Sequence, residues 1–161
     1  MITDIDKTHL ERTVVLAETA LSKGNEPFGS VLVSETGEVL FEDHNHIGTG
    51  DDTLHPEFAV ARWAASNMTE SERATATVYT SGEHCPMCAA AHGLVGLGRI
   101  VYASSAEQYG KWLIEMGVPT PTVNPMPINA ISPFIPVEGP VPELAERVRG
   151  LLQTLYTSRG L

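Results

Sequence analysis

The chain has 161 residues, the size of one domain, enough to bury about two thirds of the surface that its unfolded form exposes, so no disulfide or metal is needed merely to fold it. Apolar residues make up 42% and charged residues 19%, which excludes disorder of the whole. Ten Lys and Arg against twenty Asp and Glu leave a net charge of −10, which argues against nucleic acid as a partner, because a phosphate backbone is repelled before any local contact forms.

At the start, Asp4 and Asp6 stand where a secretory signal needs positive charge, and no stretch approaches ~18 consecutive apolar residues. The expectation is a cytoplasmic chain with no membrane span. Thr8 with Glu11 reads as a capping box, Leu10, Val14, Ala17 and Leu21 follow at helical spacing, and Gly24 stands at the stop. Gly29 to Val33 and Glu38 to Asp43 are short strand-like runs about Glu35, Thr36 and Gly37, which predicts a β-hairpin. Pro56 suits the first position of an Ala-rich helix running to Ser66, which puts His55 and Glu57 at its entrance.

Thr77 to Thr80 reads as a strand, and Pro86 opens a helix that ends near Gly96 and Gly98. Ile100 to Ala103 reads as another strand and Ala106 to Met116 as a helix. The segment 118–142 holds eight of the eleven prolines and predicts an extended, ordered wrap. A last helix over 143–158 carries Leu144, Val148, Leu151, Leu152 and Leu155 on one stripe. Strands alternating with helices predict one α/β domain over residues 1–161, with a single sheet covered on both faces, an antiparallel opening hairpin and crossovers between the later strands.

Cys85 and Cys88 are the only cysteines, and their Cys-x-x-Cys taken by itself is a redox pair, half of a metal site or a coincidence. The upstream His55-Pro56-Glu57 changes that balance. Two helix starts then offer His55, Cys85 and Cys88, a set that suits Zn²⁺ and leaves the fourth tetrahedral position open for water. Thiolates at helix amino termini are favoured by the free N–H groups there. Glu57, two residues past His55, is poorly placed as a further ligand and well placed as a general acid/base: it takes protons from zinc-activated water and delivers one to a ring nitrogen and one to departing ammonia. The net reaction is hydrolytic deamination.

His55-x-Glu57 followed by Cys85-Pro-x-Cys88 resembles the zinc signature of the cytidine deaminase superfamily. Pro27-Phe28-Gly29, Asn45 and Asp52-Thr53 extend the resemblance, over roughly residues 8 to 116, to the branch that contains guanine deaminases and tRNA adenosine deaminases. The resemblance implies a three-layer α/β/α fold around a five-stranded mixed sheet, with zinc held by His55, Cys85 and Cys88 and Glu57 as acid/base. It further implies Asn45 hydrogen-bonded to the substrate ring, Phe28 as an aromatic wall, and a homodimer. Pro56 stands where Ala is usual, and His84 where Pro usually precedes the first Cys.

Trp112 can cap the substrate pocket or fill the core, and is carried as a substrate-binding candidate. His92, one turn after Cys88, is favoured as a hydrogen-bonded helix histidine over a ligand that would close the open position. The expected substrate is a free nucleobase or nucleoside, a guanine-like aminopurine ahead of cytosine and related aminopyrimidines or triazines. A tRNA adenosine deaminase would need a cationic path, and the tail sets Arg147, Arg149 and Arg159 against Glu143 and Glu146. A non-catalytic zinc module that binds a partner protein would leave Glu57 without a role.

Overall fold

A computed structural model describes all of residues 1–161. In chain order the elements are α1 (Asp4–Ser22), β1 (Gly29–Val33), β2 (Val39–His44), α2 (Pro56–Asn67), α3 (Glu70–Thr75), β3 (Thr77–Gly82) and α4 (Pro86–Leu94). They are followed by β4 (Arg99–Ser104), α5 (Ala106–Glu115), α6 (Ile128–Ile131), β5 (Val137–Glu138) and α7 (Pro142–Ser158). One five-stranded sheet runs in the order β2-β1-β3-β4-β5. The pairs β1–β2 and β1–β3 are antiparallel, whereas β3–β4 and β4–β5 are parallel. The expected mixed sheet is therefore present.

Side chains alternate across the strands, and the alternation sorts the core into two layers. Val31, Val33, Tyr79, Val101 and Ala103 face α1, α5 and α7, meeting Leu10, Val14, Trp112, Val148 and Leu152. Leu32, Val78 and Ile100 point the other way, to Val60, Ala61 and Ala64 of α2, Ala89 of α4 and Ile128 of α6. The sheet is thus covered on both faces. Leu144, Val148, Leu152 and Leu155 of the α7 stripe are all buried in this chain's own core, so the stripe is not free for a partner.

The first helix begins four residues before the predicted cap. Thr3 is its N-cap: Asp6 N–H donates to Thr3 Oγ1 at 3.1 Å, and Thr3 N–H donates to Asp6 Oδ2 at 2.8 Å. Thr8 lies inside the helix, its hydroxyl donating to Asp4 O. Tertiary contacts decide between the two boxes. Buried Asp6 also accepts from Tyr79 Oη at 2.7 Å and from both Arg99 terminal nitrogens at 2.8 and 3.0 Å. Arg99 in turn reaches Glu138 of β5, so one carboxylate ties α1, β3, β4 and β5 together.

The wrap over 118–142 is extended except for α6 and β5. The helix α3 was not predicted. It buries no residue and so lacks an apolar stripe, although Thr69 and Glu72 form its capping box. No helix is long and apolar enough to cross a membrane.

Candidate active site

The parallel strands β3 and β4 end side by side, Gly82 opposite Ser104, and the antiparallel β1 begins beside them with Gly29 N–H donating to Ser81 Oγ at 3.1 Å. Ligand sites in such sheets form at the carboxyl ends of parallel strands, where the chain changes direction. Two proline-started helices open onto this edge. His55 is the N-cap of α2 and Cys85 the N-cap of α4, with Pro56 and Pro86 next in line, while Cys88 lies buried in the first turn of α4.

These three side chains converge. His55 Nδ1 lies 3.5 Å from Cys85 Sγ and 3.6 Å from Cys88 Sγ, and all three donor atoms lie within 4.8 Å of one another. Typical zinc bond lengths place nitrogen and sulfur on one tetrahedral edge about 3.5 Å apart. The spacing therefore fits a zinc ion with no large movement. Charge fits as well: the Cys88 thiol hydrogen bond pulls Cys85 down to about 4, and the bond to Cys85 lifts His55 to about 9. Cys88 itself is pushed up by its bond to Cys85 and by burial. The Cys85 thiolate is a ready ligand for a metal cation, and His55 and Cys88 give up their protons on binding one.

Glu57 is buried beside this set, and burial lifts its carboxyl to about 6 against the opposing pull of His55. The Thr80 hydroxyl donates to its Oε1 at 2.9 Å, and Ser30 Oγ donates to Thr80 at 3.0 Å. Held at one oxygen and raised towards neutrality, Glu57 is matched to taking and returning a proton near pH 7. Bound zinc supplies the Lewis acid that makes a hydroxide nucleophile available at that pH.

A cavity of about 710 Å³ joins the ligand set to Glu57, Phe28 and Asn45. Asn45 is buried, its Oδ1 accepting Ile47 N–H at 3.0 Å, which fixes the amide while leaving Nδ2 for a ligand. Phe28 meets Tyr109 edge to face with centroids 5.9 Å apart. A Cβ at Gly82 would come within 2.7 Å of the Phe28 ring, so glycine there lets this wall approach the strand end. Pro121 to Met126 form the outer wall, and Arg159 of the chain terminus lines the rim.

Trp112 is not part of this cavity. It is 6% exposed and fills the core with Leu10, Val148 and Leu152 and does not cap the pocket, and Tyr109, one turn earlier on α5, is the aromatic of that helix that lines the cavity. His92 donates from Nε2 to Gly98 O at 2.7 Å and is not among the residues that line the cavity. His84 is fully buried edge-on to His92, and burial holds it neutral. Besides Tyr109, two acidic pocket residues carry no signal in the sequence. Glu26 is half-buried and lines the cavity without a side-chain hydrogen bond, and burial raises its pKa. Glu83 accepts Ala106 N–H at 2.7 Å and Ile128 N–H at 2.8 Å, which pins the starts of α5 and α6 on either side of the outer wall.

A mixed sheet with two helix starts that present histidine and paired cysteines beside a buried glutamate defines a zinc-dependent hydrolytic deaminase. Residues 3–104 match the cytidine and deoxycytidylate deaminase zinc-binding region, and the chain belongs to that family. It is 27% identical over 150 residues to a "Probable cytosine deaminase" of Schizosaccharomyces pombe, which covers 88% of this chain and 91% of that one. It is 32% identical over 115 residues to a "tRNA-specific adenosine deaminase" of Agrobacterium fabrum, covering 70% and 74% respectively. The fold is shared with a solved guanine deaminase from Nitrosomonas europaea at a TM-score of 0.68 and 17% identity, covering 98% of this chain and 86% of that one.

Proposed function

We propose that the chain deaminates a free nucleobase, a guanine-like aminopurine ahead of cytosine, and releases ammonia. The observation that carries this reading is the charge of the cavity: Glu26, Asp52, Glu57 and Glu83 line it against Arg159 as the one Lys or Arg. Such a pocket repels phosphate and favours a neutral ring rich in N–H donors. The tail arginines do not offset this, because Arg147 pairs with Glu11 and Glu18, and Arg149 with Glu115 and Glu146. These pairs disfavour the tRNA substrate. In the proposed reaction, Phe28, backed edge to face by Tyr109, gives the ring an aromatic wall, the Asn45 amide hydrogen-bonds its edge, and Glu57 carries protons to the ring nitrogen and the leaving amine.

The purine preference rests on Glu26, a cavity-lining carboxyl whose side chain makes no hydrogen bond, suited to an N–H of a second ring. Cytosine is the second reading, favoured by the cytosine deaminase likeness along 88% of the chain. Ammonia release is to be measured with guanine, cytosine, guanosine and an adenosine-bearing tRNA stem-loop. Guanine should exceed cytosine by more than about tenfold in kcat/KM. Turnover of cytosine alone overturns the purine ranking, and turnover of the stem-loop alone overturns the free-base reading. A homodimer accompanies the proposal, with exposed Leu94 and Phe134 available to a second copy and light scattering as its test.

A further inference from the structure

The turn after β2 gathers a second set of metal-competent side chains. Asp43, His44 and His46 each offer a donor atom within 4.8 Å of the other two, and the two rings stack with centroids 4.2 Å apart. None of the three belongs to the His55, Cys85 and Cys88 set.

His44 is buried and its Nδ1 lies 2.8 Å from Asn45 O. A carbonyl only accepts, so the ring proton sits on Nδ1 and the lone pair on Nε2. That Nε2 faces Lys23 Nζ at 3.4 Å, and an ammonium only donates, so the same tautomer follows from a second contact. An imidazole that donates one nitrogen to a backbone carbonyl and aims the other at a cation has the arrangement of a metal ligand. Asp43 Oδ1 is 2.8 Å from His46 Nε2 and accepts His44 N–H at 2.8 Å, while Oδ2 makes no hydrogen bond. His46 and Lys23 are both solvent-accessible, so the ring can turn and the ammonium can withdraw.

We infer that Asp43, His44 and His46 form a second binding site for a divalent transition-metal ion, in competition with the Lys23 ammonium. Two imidazoles and a carboxylate suit Zn²⁺, Ni²⁺ or Cu²⁺ and disfavour Mg²⁺ and Ca²⁺, which take oxygen ligands. Asn45 lies between two of the three ligands, so an ion here stiffens the turn that presents Asn45 to the cavity. The inference does not depend on the identity of the substrate.

The test is calorimetric titration of Zn²⁺ into chain that already holds one zinc, with Asp43→Asn, His46→Gln and Lys23→Met alongside. The wild type should bind one further equivalent. His46→Gln and Asp43→Asn should weaken that event at least about tenfold and leave the first zinc in place. Lys23→Met should tighten it about threefold, because the stem is kept and an exposed competing charge is removed. Absence of a second event in the wild type, undiminished binding in His46→Gln, or no gain in Lys23→Met overturns the site. Lys23 is exposed and His46 and Asp43 are half-buried outside the two core clusters, so none of the three substitutions opens the core.

Discussion

Replacing Glu83 by Gln tests how the cavity is held in shape. Its two carboxylate oxygens accept from Ala106 N–H and Ile128 N–H at 2.7 and 2.8 Å. Both donors belong to first helical residues, which have no partner within their own helix. A hydrogen bond to a charged acceptor contributes about 1.5–3 kcal/mol, and a helix start favours negative charge further. Glutamine keeps one acceptor and turns an NH₂ towards the other N–H, so one bond is lost and one donor is left facing a donor. Each helix retains a second anchor: Ser105 caps α5, and α6 has Ile128 fully buried and Ser132 Oγ donating to Ala89 O at 2.9 Å. The fold should survive while the segment between the two helices, with its wall of Pro121 to Met126, loosens. A loss of about 1.5–3 kcal/mol corresponds to roughly a 10- to 150-fold rise in local opening. Amide exchange at residues 106 and 120–131 should quicken accordingly, KM should rise about tenfold with kcat changed less than about threefold, and zinc should stay at one per chain. Unchanged exchange at Ile128 together with unchanged KM would refute the role, as would a uniform rise in exchange across the sheet.

Glu57→Gln keeps size and the contact with Thr80 but cannot take up a proton, so zinc content should persist while turnover falls at least about a hundredfold, read by elemental analysis and ammonia release. Cys88→Ser removes a buried thiolate ligand and should lose most of the zinc by the same analysis. Asn45→Ala should lower kcat/KM by about 1–3 kcal/mol with zinc retained, and metal loss would instead make Asn45 structural. Asp6 is held below the usual carboxylate range chiefly by Arg99, so its stabilisation is complete above the unfolded value of about 4 and is lost as pH falls towards the lower folded value. Asp6→Asn should cost about 3 kcal/mol in urea unfolding at pH 7, and the gap to wild type should shrink below about pH 4.

Elements with a local signal were legible in the sequence. Pro56 and Pro86 mark the starts of α2 and α4, because a missing N–H is harmless only there, and the stripe of α7 is apolar on one side. The start of α1 was not, since Thr3-x-x-Asp6 and Thr8-x-x-Glu11 carry the same local pattern. What separates them is Arg99 and Tyr79, more than seventy residues away, which demand a buried carboxylate at Asp6. In α3 the opposite failure occurred: a capping box was present, but a helix that buries nothing has no periodicity to find.

The same division runs through the site. His55, Glu57, Cys85 and Cys88 were legible because the chemistry and the helix caps that present it lie within four residues of each other. Tyr109 and Trp112 are one turn apart on α5, and only the packing of that helix decides that the first faces the cavity and the second the core. Glu83 touches residues 23 and 45 positions away, and no short pattern encodes that. The family match ends at Ser104, before Tyr109 and the wall of Pro121 to Met126. The reacting centre therefore lies inside the matched region, and part of the surface that meets the far side of a ring lies beyond it. Relatives named for cytosine and for tRNA adenosine share the first part, so likeness there constrains the chemistry more tightly than the ring it acts on.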